Sequence, residues 1–123
     1  MAQQKTADHY DALKVRQLTM KLFQMSGVPT ADAAAVADRL IGADLAGKEV
    51  DGIARIPEHL EMLRAGRLDT HGPDASWHGI KSATLGKPVP IRLEREDVAA
   101  IQKELDRAGV RITLFNLRIR EAA

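Results

Sequence analysis

The stretch LIGADLAGKEVDGIARIPEHLEMLRAGRL, residues 40–68, holds a helix end, a turn and a second helix. An apolar stripe arriving from upstream, Val36, Leu40, Ala43 and Leu45, stops at Gly47, the residue type that most readily ends a helix. A new helix starts between Gly52 and Ile56. Pro57 marks that start, because proline is tolerated only in a first helical turn. Ile53, Ile56, Leu60 and Leu63 then recur at i, i+3, i+7 and i+10, one face of a helix, and Gly66 closes it. Asp51 and Arg55 stand four residues apart, where helical side chains of opposite charge become neighbours and can pair.

Working upstream, residues 9–25 carry Leu13, Leu18, Leu22 and Met25 at helical spacings, with Val15 and Phe23 beside them. Gly27 and Pro29 end that helix. Thr30 is the expected N-cap of the next one, with Asp32 in a first turn that favours negative charge. The small residues Ala33, Ala34, Ala35 and Ala37 suit close packing of helices. Residues 1–8 are expected to be a flexible tail.

Downstream, DTHGPDASWHGIKSATLGKPVP, residues 69–90, is dense in glycine, proline and turn formers and is expected to be a loop. Residues 91–120 are expected to form a strand–helix–strand unit. Ile91 to Leu93 is the first strand; Val98, Ile101, Leu105 and Ala108 share a helix face; Gly109 caps the helix. Lys103 and Arg107 are a same-sign pair four apart, which places them in solvent. VRITLFNLRI, residues 110–119, alternates like a strand except at Leu114–Phe115, where a bulge or a second covered face is needed. Burial by a partner chain would explain the latter. The fold expectation is therefore mostly α with a small α+β tail: residues 9–68 helical, and residues 91–120 completing one compact domain with them.

Composition narrows the function classes. Hydrophobic residues are 45%, charged residues 28% and aromatics only 3%, so the core must be aliphatic. A net charge of +1 gives no basic field for nucleic acid. No apolar run reaches the length of a membrane span, and the N-terminus lacks a signal sequence. Cysteine is absent, which excludes thiol chemistry and disulfides and fits a cytoplasmic protein.

The residues of the opening stretch carry a resemblance. Ala43, Asp44, Leu45 and Gly47, followed by Gly52, Ile53, Arg55, Ile56, Pro57 and Leu60, resemble the helical substrate-side segment of the malate/L-lactate dehydrogenase type-2 family. Gly27-Val28 resembles its upstream A-G-V pattern, and the likeness spans about residues 10–68. In that family a histidine at the place of Asp51 exchanges a proton with the substrate oxygen, and an arginine at the place of Arg55 grips the substrate carboxylate. The resemblance thus implies Asp51 and Arg55 as the candidate site residues, with a small carboxylate as candidate ligand.

Two departures redirect the expectation. Imidazole titrates near working pH, whereas an ordinary aspartate is ionised at pH 7 and would repel a developing alkoxide. The preceding family serine is Val50 here. Only 55 residues follow Leu68 in this sequence, and Gly72, Gly79 and Gly86 are spread too widely for a phosphate-binding loop; no cofactor site is expected. The leading expectation is a non-dehydrogenase accessory or binding subunit that acts through assembly, as a homo-oligomer or with a larger protein. The alternatives are a small nicotinamide-independent lyase or isomerase using Asp51 and Arg55, and one subunit of a split NAD(P)-dependent 2-hydroxy acid oxidoreductase. His71 and His78 with Asp69 and Asp74 fit no closed metal pattern, so no metal site is expected. Ser76, His78 and Asp74 are too close in sequence for a triad. His59 is placed on the helix surface, and Trp77 is expected at a core edge or a partner contact.

Overall fold

The computed structural model describes residues 7–67 and 89–119. It is mostly helical, with one small antiparallel sheet. Strand β1 (Ala7–Asp11) pairs with β2 (Pro90–Glu94) in a register that sets Ala7 opposite Glu94 and Asp11 opposite Pro90. Each strand runs directly into a helix. β1 leads into α1 (Ala12–Met25), and β2 into α4 (Arg95–Ala108). Between them lie α2 (Thr30–Leu45), two 3-10 turns (Glu49–Asp51 and Ile53–Arg55) and α3 (Ile56–Arg64).

The pairing corrects the start of the chain. The helix expected over residues 9–25 begins at Ala12, and Ala7 and Asp8, assigned to a tail, are strand. Helical spacing is genuine only from Leu13 onward. Before it, Tyr10 is fully buried and sits opposite Ile91, while Asp8 sits opposite Leu93. Asp11 then switches the backbone, its carboxylate accepting the Leu13 N–H at 3.0 Å as an N-cap. The partner strand lies some 80 residues away, beyond the reach of local periodicity.

Each of the four α-helices among the described residues stops in the same way. After α2, Lys48 N–H donates to Ala43 C=O at 2.8 Å and Gly47 N–H to Asp44 C=O at 3.1 Å, the paired bonds of a Schellman motif. Equivalent pairs close α1 at Gly27, α3 at Gly66 and α4 at Gly109. All four glycines have positive φ, a region that a Cβ disfavours. Val28 and Val110 follow two of these glycines and turn into the core, 5% and 2% exposed. Thr30 lies one residue inside α2 rather than at its cap. Pro29 takes the cap position, and Thr30 Oγ1 accepts a hydrogen bond from Gln24 of α1 at 3.1 Å.

One core joins the strands and the α-helices: Tyr10 from β1, Leu22 and Phe23 from α1, Ile41 from α2, Ile53 from the second 3-10 turn, Ile56 from α3, Ile91 from β2, Ile101 and Leu105 from α4. The expected stripes hold at Val98, Ile101 and Leu105 on α4 and at Ile53, Ile56 and Leu60 leading into α3, with Leu63 and Ala108 partly buried. Thr19 is buried as well, its hydroxyl donating to Val15 C=O at 2.7 Å. An ion pair between Arg16 and Asp38 ties the outer faces of α1 and α2.

The last expected strand is not formed. Residues 110–119 hold an irregular segment and a 3-10 turn, Leu114–Leu117, with a single bridge from Arg118 to Tyr10. The break in alternation at Leu114–Phe115 is where the chain turns: Leu114 is buried and Phe115 is 43% exposed beneath the Arg118 guanidinium. Gln102 of α4 takes the place of a neighbouring strand. It accepts the Leu114 N–H at 2.8 Å and donates to Ile112 C=O at 3.2 Å. The expectation of a strand edge buried by a partner chain falls with the strand. The expected loop over residues 69–90 lies outside the described residues up to residue 88, and its last residue, Pro90, opens β2.

Candidate functional site

The turn between α2 and α3 gathers the residues singled out in the sequence, and it splits them into two groups. Asp44, in the last turn of α2, directs its carboxylate across the turn, where Oδ2 accepts the Ile53 N–H at 2.7 Å. That N–H belongs to the start of the 3-10 turn leading into α3, so Asp44 acts as an N-cap delivered from nine residues upstream. Gly52 lies against this contact. A Cβ there would fall within 2.6 Å of Asp44 Oδ1 and nearer still to its Cγ and Oδ2. The glycine is needed for space, since its φ of −95° is open to any residue. The A-D-L-x-G and G-I portions of the motif are thus two halves of one joint.

The electrostatics of Asp44 are unusual for a carboxylate. Its pKa is pushed up to about 6, first by burial and then by the neighbouring charges of Glu49 and Asp97, while the Ile53 N–H pulls it down. Oδ1 is buried with no hydrogen-bond partner among the described residues. Asp44 forms part of the wall of a cleft of about 230 Å³ between the first 3-10 turn, β2 and the start of α4. Glu49, Glu94, Glu96 and Asp97 share that wall with Arg92, which pairs with Glu49 at 3.2 Å. Among the described residues no group of three or more His, Asp or Glu side chains is arranged to hold a metal ion.

Asp51 and Arg55 lie outside this cleft, on the outer face of the turn. They do pair: Arg55 Nη1 donates to Asp51 Oδ1 at 3.2 Å. A residue not singled out in the sequence holds Arg55 more fully. Glu58 accepts from Nε and Nη2, both at 3.0 Å, in a two-pronged contact. Glu58 raises the pKa of Arg55 and has its own lowered in return. Its place three residues after Arg55, in the first turn of a helix started by Pro57, was the available signal. His59 is half-buried rather than on the surface, its Nδ1 against the Arg55 carbonyl oxygen at 3.0 Å. Ser76, Trp77, His71, His78, Asp69 and Asp74 lie outside the described residues.

A second groove of about 230 Å³ opens where α1, α3 and α4 end together, floored by Leu60 and Leu63 and rimmed by the Arg64–Glu104 ion pair at 2.6 Å. No helix among the described residues is long and apolar enough to cross a membrane. No protein-family model, curated protein or solved structure matches the chain.

Proposed function

We propose that this chain is a binding or accessory subunit on the helical scaffold of the malate/L-lactate dehydrogenase type-2 family, working through protein–protein assembly and not as an oxidoreductase on its own. The observation that carries this reading is the engagement of Arg55. In the family that the sequence resembles, an arginine at this position receives the substrate carboxylate. Here Nε, Nη1 and Nη2 already donate to Glu58 and Asp51 of the same chain. An incoming carboxylate must displace groups tethered beside the guanidinium, whose effective concentration far exceeds that of a free ligand.

The surroundings weigh the same way against a small lyase or isomerase built on Asp51 and Arg55. Both side chains are more than a third exposed. Charge stabilisation of a transition state is strong where water is excluded and weak where it is not. Residue 51 also offers a carboxylate in the place of a titrating imidazole. For assembly, Val50 is the natural first probe. It is 81% exposed, the highest value among the large apolar side chains described, and it stands at the apex of the turn.

The reading is tested with the purified chain. NADH binding followed by fluorescence should be absent, and no 2-hydroxy acid should be oxidised with NAD. Sedimentation velocity should give a mass above that of the single chain, alone or with its partner, and Val50→Lys should lower it. Oxidation by the chain unaided would overturn the reading. Oxidation only after addition of a nucleotide-binding second chain would favour the split-enzyme alternative.

A further inference from the structure

Several effects oppose a negative charge on Asp44. The residue belongs to the last turn of α2, at the negative end of the helix dipole. Its Oδ1 is buried without a donor among the described residues. Acidic groups face the cleft from three of the elements that line it: Glu49 from the first 3-10 turn, Glu94 from β2, Glu96 and Asp97 from α4. The cation on that wall, Arg92, is already paired with Glu49 at 3.2 Å and Glu94 at 3.8 Å. The second 3-10 turn lines the cleft with Ala54; its charged residue, Arg55, lies outside the cleft, the guanidinium held by Asp51 and Glu58 on the outer face. One contact favours the charge, the Ile53 N–H at 2.7 Å, and that contact also fastens α2 to the beginning of α3.

We infer that Asp44 is a proton-operated fastening: residues 46–55, with Val50 and Asp51 on their exposed face, are held more firmly when Asp44 is protonated than when it is ionised. Protonation at Oδ1 leaves Oδ2 free to go on accepting the Ile53 N–H. It removes the charge from a buried position and ends the repulsion from Glu49 and Asp97. The new hydroxyl has no acceptor among the described residues, but an unsatisfied buried hydroxyl costs far less than an unsatisfied buried charge. Ionisation reverses each of these gains and draws water toward Oδ1, at the expense of the packing between Asp44 and Gly52. Burial, Glu49 and Asp97 together place the change at about pH 6. Such a device sets how rigidly the turn is presented, whatever the chain binds, and it stands without the accessory reading.

The experiment is an amide and side-chain carboxyl NMR titration of the whole chain across neutral and mildly acid pH. In the wild type, the Asp44 carboxyl and the Gly52 and Ile53 amides should titrate together at about pH 6. Exchange at the Ile53 amide, corrected for its intrinsic rate, should be several-fold slower on the acid side. Asp44→Asn, which keeps a neutral acceptor, should abolish both the Ile53 titration and the pH dependence of its protection. Glu49→Gln, in a chain that retains Asp44, should lower the midpoint and keeps the test open should the first variant fail to fold. An Asp44 midpoint in the ordinary carboxylate range of about 4 would overturn the inference. So would an Ile53 amide equally protected on both sides of the midpoint, or one that still titrates at the same pH in Asp44→Asn.

Discussion

At the scale of single residues, the motif that first suggested a substrate site is largely a folding device. Gly52 is a glycine because the Asp44 carboxylate occupies the space of its Cβ, and Asp44 is where it is because the Ile53 N–H needs an acceptor. Gly52→Ala should therefore destabilise the chain by about 1–2 kcal/mol, the usual worth of a lost N-cap. The penalty acts through Asp44, so it should shrink strongly in an Asp44→Ala background. A double-mutant cycle by urea denaturation measures this coupling, and simple additivity would refute it. The pH dependence follows from the same residue. Its pKa is raised on folding, from 3.8 to about 6, so the folded state binds the proton more tightly than the unfolded one. The stabilisation from this group is fully present below the unfolded pKa and is lost as pH rises through the folded one. Replacement by asparagine should thus flatten the stability profile between those two values. The variant should be more stable than wild type above pH 6 relative to the two proteins' difference at pH 4. The Arg55 cluster behaves differently. It is solvated, and exposed ion pairs contribute little, so Arg55→Ala should leave the thermal midpoint nearly unchanged.

At the scale of elements, what could be read from the sequence was local. Helix faces such as Val98, Ile101 and Leu105 follow from spacing alone, and four glycine stops follow from the backbone geometry that glycine permits. The Asp51–Arg55 pair is formed as the spacing of four suggested, although the two residues lie in separate 3-10 turns with a non-helical Gly52 between them and not on one helix. Strand β1 was not legible, because its partner enters from the far side of the sequence. Nor was the Asp44 cap, which crosses two turns to reach Ile53. The final segment misled because alternation marks a strand only if a neighbouring strand is present. Here Gln102 meets the backbone groups of Ile112 and Leu114 instead. Gln102→Ala should therefore cost about 1–3 kcal/mol, as unmade hydrogen bonds in a partly buried place do. The loss should appear in hydrogen exchange as reduced protection at Leu114, with the amides of α1 changing only as global stability falls. Unchanged protection at Leu114 would show that the segment is held by packing alone.

At the scale of the whole molecule, the β1–β2 pair closes the fold by joining the start of the described chain to the element that follows residue 88. Tyr10 sits at that closure, fully buried, opposite Ile91 and bridged to Arg118. Its hydroxyl has no hydrogen-bond partner among the described residues, so it contributes volume rather than polarity. Tyr10→Phe should be neutral or slightly stabilising, whereas Tyr10→Ala should cost roughly 3–5 kcal/mol, as large-to-small changes of core aromatics do. A clear loss of stability in the phenylalanine variant, read by thermal denaturation, would reveal a polar role for the hydroxyl. The molecule that results is a tightly joined helical body with a cleft on one side of the α2–α3 turn and a self-satisfied arginine on the other. In the proposed reading, the engagement of that arginine is what separates a binding module from a catalyst. The most direct measurement is NMR observation of the Arg55 Nε–Hε signal during titration with L-malate. A module whose guanidinium is held by Glu58 and Asp51 gives a signal that stays in place through millimolar ligand. A saturable shift of that signal in the wild-type chain would contradict the internal clamp and return Arg55 to a substrate-binding role.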